Sequence, residues 1–203
     1  MKKNKISKAW INKQRRDIYV RKSKIDGYRA RSVYKLIEID QKFKIFKNGM
    51  VVIDLGAAPG SWSQYLSKII KSGKIISIDL KAMDPINNTI QIQGDFTDLQ
   101  VQKKISDILV KKSDVIISDM AVNTTGIKNI DSIQTGELCI NAMVFSSNNL
   151  SQNGFFISKI FMGGSVNEII LLGKKIFKEV KVFKPKSSRK ESKESFIICK
   201  KLR

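Results

Sequence analysis

The sequence predicts an α/β fold: one mostly parallel sheet of seven strands, helices packed on both faces, and an antiparallel strand at the C-terminal end. Short apolar runs of strand length alternate along the chain with longer segments whose apolar residues recur at helical period. Strands that alternate with helices are joined by right-handed crossovers, which leave the strands parallel. The last two runs, 180–183 and 195–199, are separated by a loop too short for a crossover helix and are expected to pair antiparallel. With 203 residues, 42% hydrophobic and 28% charged, the chain is sized for one domain with a real core, and 12 Gly and 3 Pro exclude a collagen-like or linker-dominated chain.

Residues 1–26 are polar and basic, with Trp10, Ile11, Ile18, Tyr19 and Val20 the main apolar or aromatic groups; they read as an arm before a folded domain over 27–203. From Ser32, a candidate cap, Val33, Leu36, Ile37 and Ile39 recur at helical spacing until Lys47-Asn48-Gly49. The run over 50–55 ends in Asp54-Leu55-Gly56, the form of a buried parallel strand. Gly56-Ala57-Ala58-Pro59-Gly60-Ser61 is a tight loop, and 61–70 a helix with Trp62, Tyr65, Leu66 and Ile69 on one side. Strands follow at 74–79, 89–93, 114–118 and 154–160, and helices at about 97–111, 133–150 and 166–177. No repeat of fixed period and no low-complexity segment is visible.

Charge is distributed unevenly. The net charge is +20, and residues 1–50 carry 16 Lys/Arg against 4 Asp/Glu, residues 181–203 carry 9 against 2, and the 130 residues between carry 13 against 12. Solubility does not require such an asymmetry. A polyanion at both ends of a neutral core does, and nucleic acid is the expected partner. The arm is then expected to be ordered in part at best until RNA is present. No basic segment carries a strong apolar face, and no apolar run reaches the ~18 residues of a membrane helix. The basic start lacks the apolar stretch of a secretory signal. Cys139 and Cys199 are too few for a disulfide framework and read as buried small apolar groups in a reducing compartment. The chain has no His, which excludes a Ser-His-Asp triad, a Cys-His pair and a His-ligated metal; no metal site is expected.

The loop after the first strand fits neither common phosphate motif. Gly56 and Gly60 are four apart, so G-x-G-x-x-G is absent, and no Gly-Lys-Ser/Thr follows. Acidic residues instead mark the strand ends: Asp54, Asp79, Asp95 and Asp119. In a doubly wound sheet these ends converge on one crevice. Four carboxylates repel a pyrophosphate and favour a cation with hydroxyls and an exocyclic amine, a description that S-adenosylmethionine meets. Asp79 lies 23 residues after Gly56, close to the ~20 at which an acidic group reaches a ribose diol. Asp95, in Gln93-Gly94-Asp95, suits an adenine contact. Asp54 reads equally well as a cap of the following loop or as a ligand group.

The motif set Asp54-Leu55-Gly56-Ala57-Ala58-Pro59-Gly60-Ser61-Trp62-Ser63-Gln64, Gln93-Gly94-Asp95-Phe96, Ser118-Asp119-Met120-Ala121 and Lys184-Pro185-Lys186-Ser187-Ser188-Arg189 resembles the FtsJ/RrmJ (RlmE) family. Those are S-adenosylmethionine-dependent methyltransferases that modify the 2′-hydroxyl of a uridine in large-subunit ribosomal RNA. The likeness runs from about Tyr28 to the C-terminus and keeps the spacing between motifs. It implies a Rossmann-like S-adenosylmethionine-dependent methyltransferase fold and a Lys-Asp-Lys-Glu catalytic tetrad, which falls on Lys35, Asp119, Lys159 and Glu194. The family's cofactor contacts fall on Gly60, Trp62, Asp79, Asp95 and Asp119. The expected partner is large-subunit ribosomal RNA, in the assembled large subunit or as naked RNA, and the protein is expected to be a cytoplasmic monomer. Two positions depart from the family pattern: Val122 where Pro precedes Asn123, and Ala82 where Pro precedes Met83.

The chemistry suits these residue types. A ribose 2′-hydroxyl is a weak nucleophile that must be aligned and must lose its proton. Lys159 interrupts Phe155-Phe156-Ile157-Ser158-Lys159-Ile160-Phe161, where an unpaired charge is costly, so it is expected to have a task. It could serve as general base, its pKa lowered by Lys35 and burial, or it could orient the hydroxyl. Asp119 and Glu194 would balance the two lysines. A methyltransferase of the same fold acting on transfer RNA or a messenger cap, and a non-catalytic ribosome-assembly factor that binds RNA, are the competing readings.

Overall fold

The computed structural model describes residues 16–121 and 128–203. Its elements, in chain order, are α1 (Ile18–Ile25), α2 (Val33–Phe43), β1 (Val51–Leu55), α3 (Ser61–Ile69), β2 (Lys74–Asp79), β3 (Thr89–Gln93), α4 (Leu99–Ile108), β4 (Ser113–Ser118), α5 (Lys128–Asn149), β5 (Leu150–Phe161), α6 (Val166–Ile176), β6 (Phe177–Phe183) and β7 (Glu194–Leu202). The seven strands form one sheet in the order β3-β2-β1-β4-β5-β7-β6. β1, β2, β3, β4 and β5 pair in parallel, and β7 inserts antiparallel between β5 and β6. The chain turns outward in opposite directions from β1 and β4, so a crevice opens above their carboxyl ends.

Alternation along the strands sorts side chains into two layers. Ile53, Leu55, Ile76, Ile78, Ile116, Phe156, Ile160, Ile197 and Cys199 face α4, α5 and α6. Val52, Ile75, Val115, Ile117, Ile157, Phe196 and Ile198 face α2 and α3. Both cysteines are free and buried, and burial pushes the Cys139 thiol up to about 12. Among the described residues no helix is long and apolar enough to cross a membrane.

Boundaries differ from the sequence expectation where side chains decide them. Asp98 caps α4 through the Gln100 N–H at 2.7 Å, so the helix is shorter than 97–111. Ser32 stands at the head of α2, but its hydroxyl meets Ser61 Oγ at 2.8 Å and does not cap its own helix. Part of the expected arm is the helix α1. Asp17 caps it by accepting the Tyr19 N–H, and Tyr34 Oη donates to Asp26 at its end at 2.8 Å. Its sparse apolar residues gave no helical period to read. Residues 1–15 lie outside the described residues.

Candidate active site

Strand parity builds the site. Asp54 of β1, Ser77 of β2 and Lys159 of β5 alternate onto the same face as Val52, Ile75 and Ile157, under α2 and α3. Register does the rest: Lys159 pairs with Phe196, and Phe161 with Glu194, so β7 carries its glutamate to the same edge. Lys35 hangs from α2 above them, and Asp119 follows the last residue of β4.

The four expected tetrad residues meet in one network. Lys159 Nζ donates to the Asp119 carbonyl at 2.6 Å and lies 3.1 Å from Asp119 Oδ1. Lys35 Nζ lies 3.6 Å from the same Oδ1 and donates to Glu194 Oε2 at 2.7 Å. Ser188 Oγ donates to Glu194 Oε1 at 2.7 Å. Two ammoniums and two carboxylates leave the cluster neutral. For Asp119, burial works to raise the pKa, but Lys159 and Lys35 outweigh it and hold the carboxyl below its ordinary range. For Lys35, burial works downward, but Asp119 and Glu194 outweigh it and the net shift is upward. Lys35 is therefore a fixed cation. The expected repulsion between the lysines is interrupted, because Asp119 Oδ1 contacts both.

The glycine loop sits against this network. Gly56 and Ala57 both donate to the Ile78 carbonyl, at 2.8 and 3.1 Å, which ties the loop to β2. Gly60 heads α3 with φ of 99°, a conformation that L side chains rarely adopt, and a Cβ there would lie 2.8 Å from Arg29 Nη1. Asp54, Gly56, Ala57, Trp62 and Asp119 line a cavity of about 40 Å³, room for a small polar group and not for a nucleoside. Met120 packs against Gly56, where a Cβ would collide with it. Asp54 is buried and accepts from Ser63 Oγ at 2.6 Å; Ser63 has one proton to give, so Ser77 donates to Ser63 across another 2.6 Å. Burial pushes the Asp54 pKa up to about 7, partly opposed by the Ser63 bond. Asp54 thus bonds to α3 and also borders the cavity.

Asp79 and Asp95 form the open end. Asp79 accepts the Ala58 N–H at 2.9 Å and the Lys81 N–H at 2.8 Å, one on each oxygen, and each oxygen keeps a lone pair. Gly94 N–H donates to the Asp79 carbonyl, which sets Asp95 beside it. Asp95 is exposed and holds Thr97 through Oδ1. Acceptors of this kind fit a ribose diol and an exocyclic amine. The acceptor set therefore suits an adenosyl ligand, with its nucleoside on the exposed side. Trp62 is buried against Phe196 at 5.8 Å between ring centroids and spends its indole N–H on the Ser32 carbonyl, besides lining the small cavity.

Sequence reasoning missed the residues that brace the site. Arg29 donates to the carbonyls of Pro59, Asp84 and Pro85 at 2.9–3.0 Å and joins the glycine loop to the loop after β2. Glu38 accepts the N–H groups of Lys186 and Ser187 at 2.6 and 2.9 Å, which positions Ser188 under Glu194. Their partners lie 30 to 149 residues away, and no local signal marks them. The Ala82 departure lies on an exposed loop, and Val122 lies outside the described residues.

A sheet of this order with a glycine loop at its crevice defines a Rossmann-like methyltransferase fold. A Streptococcus mutans protein assigned as a methyltransferase and solved in complex with SAH matches at a TM-score of 0.55 and 14% identity, covering 82% of this chain and 97% of that one; this likeness is one of fold. The model of the FtsJ-like methyltransferases matches residues 28–202, and the chain belongs to that family. It is 72% identical over 203 residues, all of both chains, to the ribosomal RNA large subunit methyltransferase E of Pelagibacter ubique. A solved Plasmodium falciparum protein assigned as a ribosomal RNA methyltransferase matches at a TM-score of 0.77 and 35% identity, covering 86% of this chain and 98% of that one.

Proposed function

We propose that this protein transfers a methyl group from S-adenosylmethionine to the ribose 2′-hydroxyl of a uridine in large-subunit ribosomal RNA, acting as a cytoplasmic monomer on the assembled subunit. The observation that carries the reading is the partly buried, charge-balanced network of Lys35, Asp119, Lys159 and Glu194 beside the glycine loop. Full-length likeness to a large-subunit ribosomal RNA methyltransferase supports the substrate. The basic arm of 1–26 contributes to RNA binding, and the methyltransferase domain of 27–203 carries the chemistry.

When bound, S-adenosylmethionine supplies an electrophilic methyl on a sulfonium. Gly60, Trp62, Asp79, Asp95 and Asp119 hold it, with Asp79 on the ribose diol and Asp95 toward the adenine. Lys159 directs two of its three positions at Asp119. The third, an N–H or a lone pair, is left for the substrate hydroxyl. In the neutral form it accepts the hydroxyl proton as the oxygen attacks; in the charged form it orients the oxygen. Lys35 stays protonated and fixes Asp119 and Glu194. The test is labelled methyl transfer to large ribosomal subunits from cells lacking the enzyme, followed by mapping of modified riboses. One new 2′-O-methyluridine is expected. Cofactor binding without transfer to RNA would overturn the reading in favour of an assembly factor.

A further inference from the structure

Next to the tetrad, the head of α1 meets the loop between β6 and β7. A cavity of about 650 Å³ there is lined by Arg16, Asp17, Arg31, Lys186 and Arg189 among others. A second, of about 330 Å³, is lined by Arg31, Lys35, Arg189, Glu191 and Glu194 among others. Arg31 and Arg189 belong to both, so they stand where a basic groove opens into the tetrad. A single carboxylate oxygen lies between them. Asp17 Oδ2 accepts from Arg31 Nη1 and, at 3.3 Å, from Arg189 Nη2, while Oδ1 caps α1. Arg31 also donates to the Ser187 carbonyl. Burial and the Arg189 charge both push the Arg31 pKa down, against Glu194 and Glu191. Two guanidiniums this close require an anion.

We propose that Arg31 and Arg189 form a phosphodiester-binding subsite for the RNA strand beside the target ribose, and that Asp17 occupies it in the free protein as an exchangeable anion. This rests on the RNA-methylation reading above. A guanidinium fork takes a carboxylate or a phosphate through the same paired N–H groups. A ribose held at Lys159 carries a phosphate on each side, and the strand leaves the tetrad through a mouth walled by Arg31 and Arg189. A phosphodiester replaces the carboxylate one negative charge for one, so the charge around the two guanidiniums is unchanged while Asp17 turns to solvent.

The experiment uses the full chain and a fluorescent 12-nucleotide oligouridylate, with affinity read by anisotropy over a salt series and S-adenosylmethionine affinity by calorimetry as a check on the fold. Arg189→Gln is expected to weaken the oligonucleotide about 5–10-fold and to flatten the log–log salt slope by about 0.7, the value of one single-strand phosphate. Asp17→Asn is expected to tighten it about 3–10-fold, by removing the competing anion, and this gain is expected to vanish in the Asp17→Asn/Arg189→Gln pair. Affinity unchanged or weakened in Asp17→Asn, or a wild-type slope in Arg189→Gln, would overturn the proposal. Methyl transfer by the wild-type chain to undermethylated large subunits separates the two readings. Transfer with unmoved slopes removes only the subsite, and moved slopes without transfer remove only the function.

Discussion

The two faces of the sheet differ in kind. The face under α4, α5 and α6 is an apolar cluster in which Phe156 stacks on Phe177 at 6.1 Å, and both thiols are spent as small hydrophobes. The face under α2 and α3 mixes Ile157, Val115 and Phe196 with Asp54, Ser63, Ser77, Lys159 and Glu194. Neighbouring residues on β5 fall on opposite sides of this division. Packing on one face holds strands in a register that the other face uses to place charges. A buried polar atom is costly without a partner, and most polar groups of the second face find one on another element; Asp119 Oδ1 has no hydrogen bond and is held by the charges of Lys159 and Lys35, at 3.1 and 3.6 Å.

The largest test of the contrast is Lys159. Lys159→Ala is expected to lower methyl transfer by about 10²–10⁴-fold with cofactor binding retained. Lys159→Arg keeps the charge and cannot release a proton in this range. Equal loss in both variants supports a base, and partial activity in the arginine variant supports orientation. Three residues earlier and on the other face, Phe156→Ala is expected to cost about 3–5 kcal/mol of stability by denaturant titration, with turnover of the folded fraction unchanged. A large loss of turnover there would erase the division between the faces.

Asp54 gives a pH test. Unfolded, it loses its proton near pH ~4; folded, it keeps it to about pH 7. The folded state therefore binds more protons between these values, and stability falls as pH rises through them. Relative to wild type, Asp54→Asn is expected to be more stable by about 2–3 kcal/mol at pH 8 than at pH 5. A difference that does not vary with pH would show that the carboxyl is ionised throughout. The smallest effect belongs to the exposed end of the site. Asp79→Ala is expected to weaken S-adenosylmethionine about 10–100-fold by calorimetry, the loss of a charge-assisted hydrogen bond. Unchanged affinity would move the nucleoside away from β2.

Much of this was legible in the chain, because local pattern fixes local structure. Alternating apolar runs gave the seven strands, and the short final connection gave the antiparallel β7. Lys159 stood out because a charge inside an apolar strand must be paired. The acidic residues at the strand ends pointed to a crevice there. What the sequence could not carry is convergence between distant segments. That Asp119 separates the two lysines, that Glu38 holds the loop carrying Ser188, that Arg29 joins two loops, and that Asp17 lies between Arg31 and Arg189 all depend on partners up to 172 residues apart. Periodicity reports which face a residue occupies. Only closure of the tertiary structure decides which other charge it meets there, because that distance is set by the packing of whole elements and by nothing local to either residue.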